Sequence, residues 1–173
     1  MSDILKIRPS KATKEAFMET YGGIYEHSAW IAEAAWQVKN GDNLDVADAL
    51  HDAMRNAVEA ADEPAKLRLI CAHPDLAGKA AVRGELTDES KSEQKGAGLD
   101  TCSPEEFAEF QTLNKAYKKK FGFPFIIAVK GHDRHSILAA FRARLNHDRA
   151  LEFETALTEI HKIASFRLAD LCS

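Results

Sequence analysis

Apolar residues recur along this chain at intervals of three and four, the spacing that lines one face of an α-helix. The clearest run, Val46, Leu50, Ala53, Met54, Ala57, Val58 and Ala61, predicts a helix capped by Asp45. Trp30, Ile31, Ala34, Ala35 and Val38 share one side of a second helix over 28–38, with Gly41 as its stop, and a shorter helix covers 14–20 before Gly22-Gly23. Pro64 suits a first helical position and opens a piece over 65–71. That piece must stop at His73-Pro74, because a residue before proline avoids helical backbone angles. Residues 75–85 have little periodicity and hold Gly78 and Gly84, which predicts an ordered loop; a helix over 87–97 follows, ended by Gly98.

Ser103-Pro104-Glu105-Glu106 combines a capping serine, a proline just inside and a glutamate three residues after the cap, so a helix starts there. Phe107, Phe110, Leu113 or Asn114, and Tyr117 make its buried face, and Gly122 ends it. Residues 123–129 are apolar but have no second strand to pair with, which predicts a buried extended connector. Helices over 136–145 and 148–171 complete the set, the last with Phe153, Leu157, Ile160, Ala164, Leu168 and Leu171 in one stripe. Seven or eight helices without repeat or linker predict one all-α domain over residues 1–173.

Composition narrows the partners. With 23 basic and 27 acidic residues the formal charge is −4, which argues against a nucleic-acid binder; such a protein would carry a basic stripe. No apolar run approaches the ~18 residues a membrane span needs, and the N-terminus has no secretory pattern. Cys71, Cys102 and Cys172 are odd in number and far apart, so neither a disulfide framework nor a zinc ribbon is expected and the compartment reads as reducing cytosol.

Three places put polar residues where apolar ones would pack better. His73 stands at a helix end, where a histidine can cap the last carbonyls or be aimed at a ligand by Pro74. Ser90, Glu93 and Gln94, with small Ala97, share a helical face that is either a hydrogen-bonding wall or a solvated capping-box pattern. Arg167 lies on the apolar stripe of the last helix beside Leu168, so its charge needs an internal carboxylate such as Glu93 or an anionic ligand. Arg142, Arg144 and Arg149 read as solvated, His161 as facing water or packed, and Trp30, Trp36 and the nine Phe as interior. His132-x-x-His135 has a metal-compatible spacing but lacks a nearby third ligand, so no metal site is expected.

Taken in order, His73-Pro-Asp-Leu-Ala-Gly-Lys79, Leu86-Thr87, Ser90-x-x-Glu93-Gln94, Ala97-Gly98-Leu99, Phe121-Gly-Phe-Pro-Phe-Ile-Ile127 and Ile163-Ala-Ser-Phe-Arg-Leu168 resemble one family, the 2-oxo-4-hydroxy-4-carboxy-5-ureidoimidazoline (OHCU) decarboxylases of urate breakdown. Gly22-Gly-Ile-Tyr-Glu-His-Ser-Ala-Trp30 is similar to the family's first helices, with Ala29 where a proline is expected. The peroxisomal tail of animal members is absent at Ser173, which leaves a bacterial-type cytosolic enzyme as the simpler reading.

The resemblance implies a cofactor-free, homodimeric enzyme that yields (S)-allantoin. It assigns catalysis to His73 and Glu93, and substrate binding to Pro74, Ser90, Gln94, Arg167 and the backbone around Phe125, Ile126 and Ile127. The substrate's own C=N group takes up the electrons released with carbon dioxide, so no pyridoxal, thiamine or metal is called for. Which of His73 and Glu93 delivers the proton stays open at this level. The rival from another class is a non-enzymatic helical interaction module, in which Glu93 and Arg167 form a structural ion pair. A metal-dependent hydrolase using His132 and His135 is a second rival.

Overall fold

The computed structural model describes residues 3–78 and 84–173. Among them are eight α-helices: α1 (Lys14–Tyr21), α2 (Ala29–Gln37), α3 (Ala47–Glu59), α4 (Glu63–Cys71), α5 (Asp88–Gly96), α6 (Pro104–Phe121), α7 (Arg134–Arg144) and α8 (Arg149–Ala169). A 3₁₀ turn, Leu99–Thr101, precedes α6, and the described residues hold two isolated β-bridges but no strand, so the fold is all-α. The chain divides into two compact units, one of Met1–Ala72 with Ile160–Ser173 and the other of His73–Glu159.

In the first unit α2 packs on both α1 and α3. Thr13 and Asp62 cap α1 and α4 by accepting hydrogen bonds from the amides of Ala16 and Ala65. Phe17, Ile31, Leu50, Met54, Val58 and Ile70 are fully buried, and Ile160, Ala164 and Leu168 of α8 complete that core. Two local expectations fail. Asp45 does not cap α3, whose N-cap is Val46; its carboxylate instead accepts from the Ser10 amide at 2.9 Å and hydroxyl at 2.5 Å. Trp30 and Val38 are 40% and 58% exposed, because α2 turns Ile31, Ala32 and Ala35 inward, and its two small residues permit close helix approach. The chain ends are tied in by the bridges Ile4–Val46 and Leu5–Cys172.

The second unit is built on α6. Both halves of its capping box form, Ser103 Oγ accepting from the Glu106 amide at 3.1 Å and Glu106 from the Ser103 amide at 3.0 Å, and Gly122 ends it at φ +81°. Phe110, Asn114, Tyr117 and Phe121 are buried, whereas Phe107, expected on that face, is 36% exposed and lines a cleft. Tyr117, Phe123, Phe125 and Phe141 form an aromatic core, with the Phe125 and Phe141 rings stacked at 3.9 Å. Residues 123–129 run buried and extended without a strand partner, as the sequence predicts. Of the expected loop over 75–85, residues 79–83, including Lys79, lie outside the described residues. None of the described helices is long and apolar enough to cross a membrane.

Candidate functional site

His73 follows Ala72, the C-cap of α4, and opens the second unit half-buried. The loop after it is held by side chains. Ala77 takes a left-handed backbone, φ +49°, which costs a non-glycine residue on the order of 1 kcal/mol. Its amide donates to Gln94 Oε1 at 3.1 Å, its carbonyl accepts from Gln111 Nε2 at 2.7 Å, and the Leu76 carbonyl accepts from Asn114 Nδ2 at 3.0 Å. Next to it, Gly78 leaves no room for a side chain, since a Cβ there would stand 2.7 Å from Asp75 Cβ. Asp75 is itself anchored to Lys118 at 2.6 Å. The path of the chain out of His73-Pro74 is thus fixed by α5 and α6.

On α5 the true N-cap is Thr87, which accepts from the Ser90 amide at 3.2 Å, so the Ser90/Glu93 spacing is not a capping box. Ser90, Gln94 and Ala97 are buried and Glu93 is half-buried, as a shared inward face requires. Gln94 spends its carbonyl on Ala77, which leaves its buried Nε2 without a partner among the described residues; Asn114 Oδ1 is in the same state. A buried amide group left unpaired costs about 1–3 kcal/mol, a penalty that a ligand carbonyl would remove at Gln94. A cleft of about 560 Å³ takes in Gln94 with Leu86, Lys91, Lys95, Leu99 and Phe107; of the expected site residues among those described, Gln94 alone lines it.

The extended segment offers backbone. Phe125, Ile126 and Ile127 are buried, and among the described residues no protein group bonds their three amides. Two side chains hold the segment: Arg144 Nη1 donates to the Ile126 carbonyl at 2.6 Å, and the Ala128 amide donates to Glu159 at 3.2 Å. Arg144, read from sequence as solvated, is therefore a correction. It is 7% exposed and forked onto the fully buried Glu152, with Nε at 3.0 Å and Nη2 at 2.8 Å from Oε2. Glu152 also accepts from the Tyr117 hydroxyl and meets His147 Nδ1 at 2.8 Å. Burial pushes the Glu152 carboxyl up, but the Arg144, Tyr117 and His147 contacts outweigh it and hold the group below the usual range; Tyr117 is raised, chiefly by burial and then by Glu152. The missed signal was spacing: Arg144 lies seven residues after Ile137 and three after Phe141, on the apolar stripe of α7.

In the first unit Arg167 is 6% exposed, as its stripe predicts. Glu26 supplies it with an internal carboxylate, at 2.9 Å from Nη1, and Nη1 also lies 3.3 Å from the Ile24 carbonyl. Glu26 sits in the Gly22–Ser28 stretch beside His27, a second residue with left-handed backbone, φ +47°. Nothing in the local pattern marks a glutamate between Tyr25 and His27 as buried. His161 packs, bonding the Tyr25 hydroxyl at 2.7 Å and Glu59 at 3.3 Å. His132 meets Ser136 Oγ at 3.0 Å and His135 is exposed; the described residues contain no group of three His, Cys, Asp or Glu suited to a metal ion.

The chain is similar to known proteins along most of its length. The family model described as OHCU decarboxylase matches residues 10–169, a stretch that contains every expected site residue from His73 to Arg167. The chain is 43% identical to the 2-oxo-4-hydroxy-4-carboxy-5-ureidoimidazoline decarboxylase of Halalkalicoccus jeotgali, covering 94% of this chain and 88% of that protein. It is 40% identical to the protein of the same name from Haloferax volcanii, covering 98% and 97%. A crystal structure of OHCU decarboxylase in the presence of (S)-allantoin matches with a TM-score of 0.69 at 25% identity, covering 87% of this chain and 95% of that one. A match that runs from before α1 to the end of α8, with relatives covered over 88% and 97% of their own length, leaves one assignment: the chain belongs to the OHCU decarboxylase family.

Proposed function

We propose that this chain is the carboxy-lyase that removes carbon dioxide from 2-oxo-4-hydroxy-4-carboxy-5-ureidoimidazoline in urate degradation and releases (S)-allantoin. The observation that carries this reading is the family match over residues 10–169, which takes in His73, the Ser90/Glu93/Gln94 face, the 125–127 segment and Arg167 together.

The reaction breaks the bond between the hydroxyl-bearing ring carbon and the carboxylate. Its electron pair moves into the bond toward the neighbouring C=N carbon, whose nitrogen takes up the charge and is neutralised by a proton from solvent. The resulting enol loses its hydroxyl proton and gains one at the ureido-bearing carbon, where delivery to a single face sets the S configuration. In this assignment His73 and Glu93 move those two protons, and histidine is suited to exchange near neutral pH. Ser90 and the Gln94 amide fix the ureido and ring groups, and the backbone of residues 125–127, with Pro74, frames the ring. Arg167 is assigned a substrate carboxylate or carbonyl, to which a guanidinium can donate two parallel hydrogen bonds. The unpartnered Gln94 Nε2 and the unbonded 125–127 amides support these roles. From the resemblance we further assign the chain to the cytosol, as a homodimer with one domain over residues 1–173.

The test adds the purified protein to freshly oxidised urate with the preceding hydrolase and follows the circular dichroism of allantoin. Fast formation of one enantiomer is the expected result. A slow, racemic course identical to the protein-free control would overturn the assignment.

A further inference from the structure

The extended segment 123–129 raises a question that its own side chains do not answer. A strand in a sheet has its backbone fixed by the ladder on either side, whereas this segment has no ladder, so anything that aims its amides must come from elsewhere. Burial in the aromatic core restrains Phe123 and Phe125 but sets no hydrogen-bonding direction at the peptide units that follow. The direction at Ile126 comes from Arg144, whose guanidinium lies over the Phe125 ring with its centre 4.3 Å from the centroid while Nη1 donates to the Ile126 carbonyl. Because each peptide is planar, holding the Ile126 carbonyl also fixes the plane of the Ile127 amide.

The guanidinium cannot swing, because its other edge is forked onto Glu152, and Glu152 is held in turn by Tyr117 and His147. Its residues arise on α6 (Tyr117), α7 (Arg144), the turn after it (His147) and α8 (Glu152), so three helices converge on one peptide carbonyl. A buried ion pair of this kind is weak evidence for stability, since similar apolar packing often does as well; its distinctive contribution is geometric.

We infer that Arg144, clamped by Glu152, is a positioning residue for the decarboxylation: it aims the backbone of residues 125–127 at the substrate ring. The inference rests on the proposed decarboxylase reading and on substrate contact by that backbone. A lysine at 144 keeps the charge opposite Glu152 but has a single ammonium head, which cannot fork onto the carboxylate, lie flat on Phe125 and reach Ile126 at once.

The experiment measures KM and kcat for OHCU decarboxylation in wild type and Arg144→Lys, with far-UV circular dichroism and active-site titration to normalise for folded protein. A misaimed binding surface raises KM about tenfold with kcat within about twofold, while a merely structural arginine lowers the active fraction and leaves KM unchanged. Wild-type KM in folded Arg144→Lys overturns the inference. Should that variant fail to fold, Tyr117→Phe removes one bond to Glu152 and keeps the packing; KM raised about threefold supports the positioning role and wild-type KM overturns it. The wild-type assay separates the two levels: an inactive wild type defeats the decarboxylase reading, whereas an active wild type with an unchanged variant KM defeats only the role of Arg144.

Discussion

Replacing Glu26 by glutamine takes from the Arg167 side chain, 6% exposed, the carboxylate that stands 2.9 Å from its Nη1. Breaking a buried pair from one side costs about 3–5 kcal/mol because the remaining charge stays out of water. The Ile24 carbonyl at 3.3 Å remains as an acceptor and glutamine can still offer its own, so the lower end of that range is expected. For a chain of 173 residues, about 3 kcal/mol corresponds to a fall in melting temperature of roughly 6–12 °C. The assay is urea denaturation of wild type, Glu26→Gln, Arg167→Met and the double variant. Removing both partners leaves no orphan charge, so the double variant should be more stable than the sum of the singles predicts by at least about 1 kcal/mol. A Glu26→Gln protein within about 0.5 kcal/mol of wild type, with additive singles, would refute the reasoning, because that is the range of ordinary surface substitutions.

His73→Asn and Glu93→Gln should each keep the far-UV spectrum of wild type and lower turnover roughly 100-fold or more, the scale of losing a positioned acid or base; wild-type rates would remove them from the mechanism. His161 is held below its ordinary 6.5, mainly by burial and then by Arg55 and His51, with Glu59 opposing. The unfolded chain therefore takes up the proton first, so this contribution to stability is complete above pH 6.5 and is lost as pH falls through the folded value. Urea midpoints between pH 8 and 5 should start to decline near 6.5, and His161→Gln should flatten that part of the curve; an identical slope in the variant would contradict this. Glu152, also held low, adds stability that is complete above 4.5 and lost below it, which a second, more acidic decline should report. Ser103→Ala should cost about 1 kcal/mol in the same assay through the broken capping box, and no change would show that α6 is held by packing alone.

Much of this molecule can be read from the chain because it is helical, and helices announce themselves through local spacing. Ser103 with Glu106, Thr87 ahead of the α5 face, and Arg167 on the stripe of α8 are each decided by neighbours three or four residues away. What escaped is what depends on distant partners. Asp45 has every local credential of a cap, yet Ser10, thirty-five residues away, offers it two donors. Arg144 and Glu152 look like surface charges until the unsatisfied Ile126 carbonyl of an unpaired segment calls for a donor. Glu26 is buried by a loop with a left-handed residue at His27, and no periodicity governs such a loop. The candidate site residues were reached by motif resemblance as much as by spacing, since the face of Ser90, Glu93 and Gln94 was open to two readings until Thr87 proved to be the cap.

The extended 123–129 segment has a consequence for how variation in this protein should be interpreted. In a sheet, the positions that present backbone to a ligand and the positions that hold that backbone lie on neighbouring strands, and damage to either shows up in the same place. Here they are separated: the side chains at 125–127 are buried, Phe125 within the aromatic core, while the groups that orient their peptides are Arg144 and Glu159, 18 and 31 residues beyond the positions they bond. A survey of substitutions confined to the segment would read out only core packing. The inheritance of its backbone geometry is carried by two charged residues that a scheme judging position by residue type alone would take for surface and treat as dispensable.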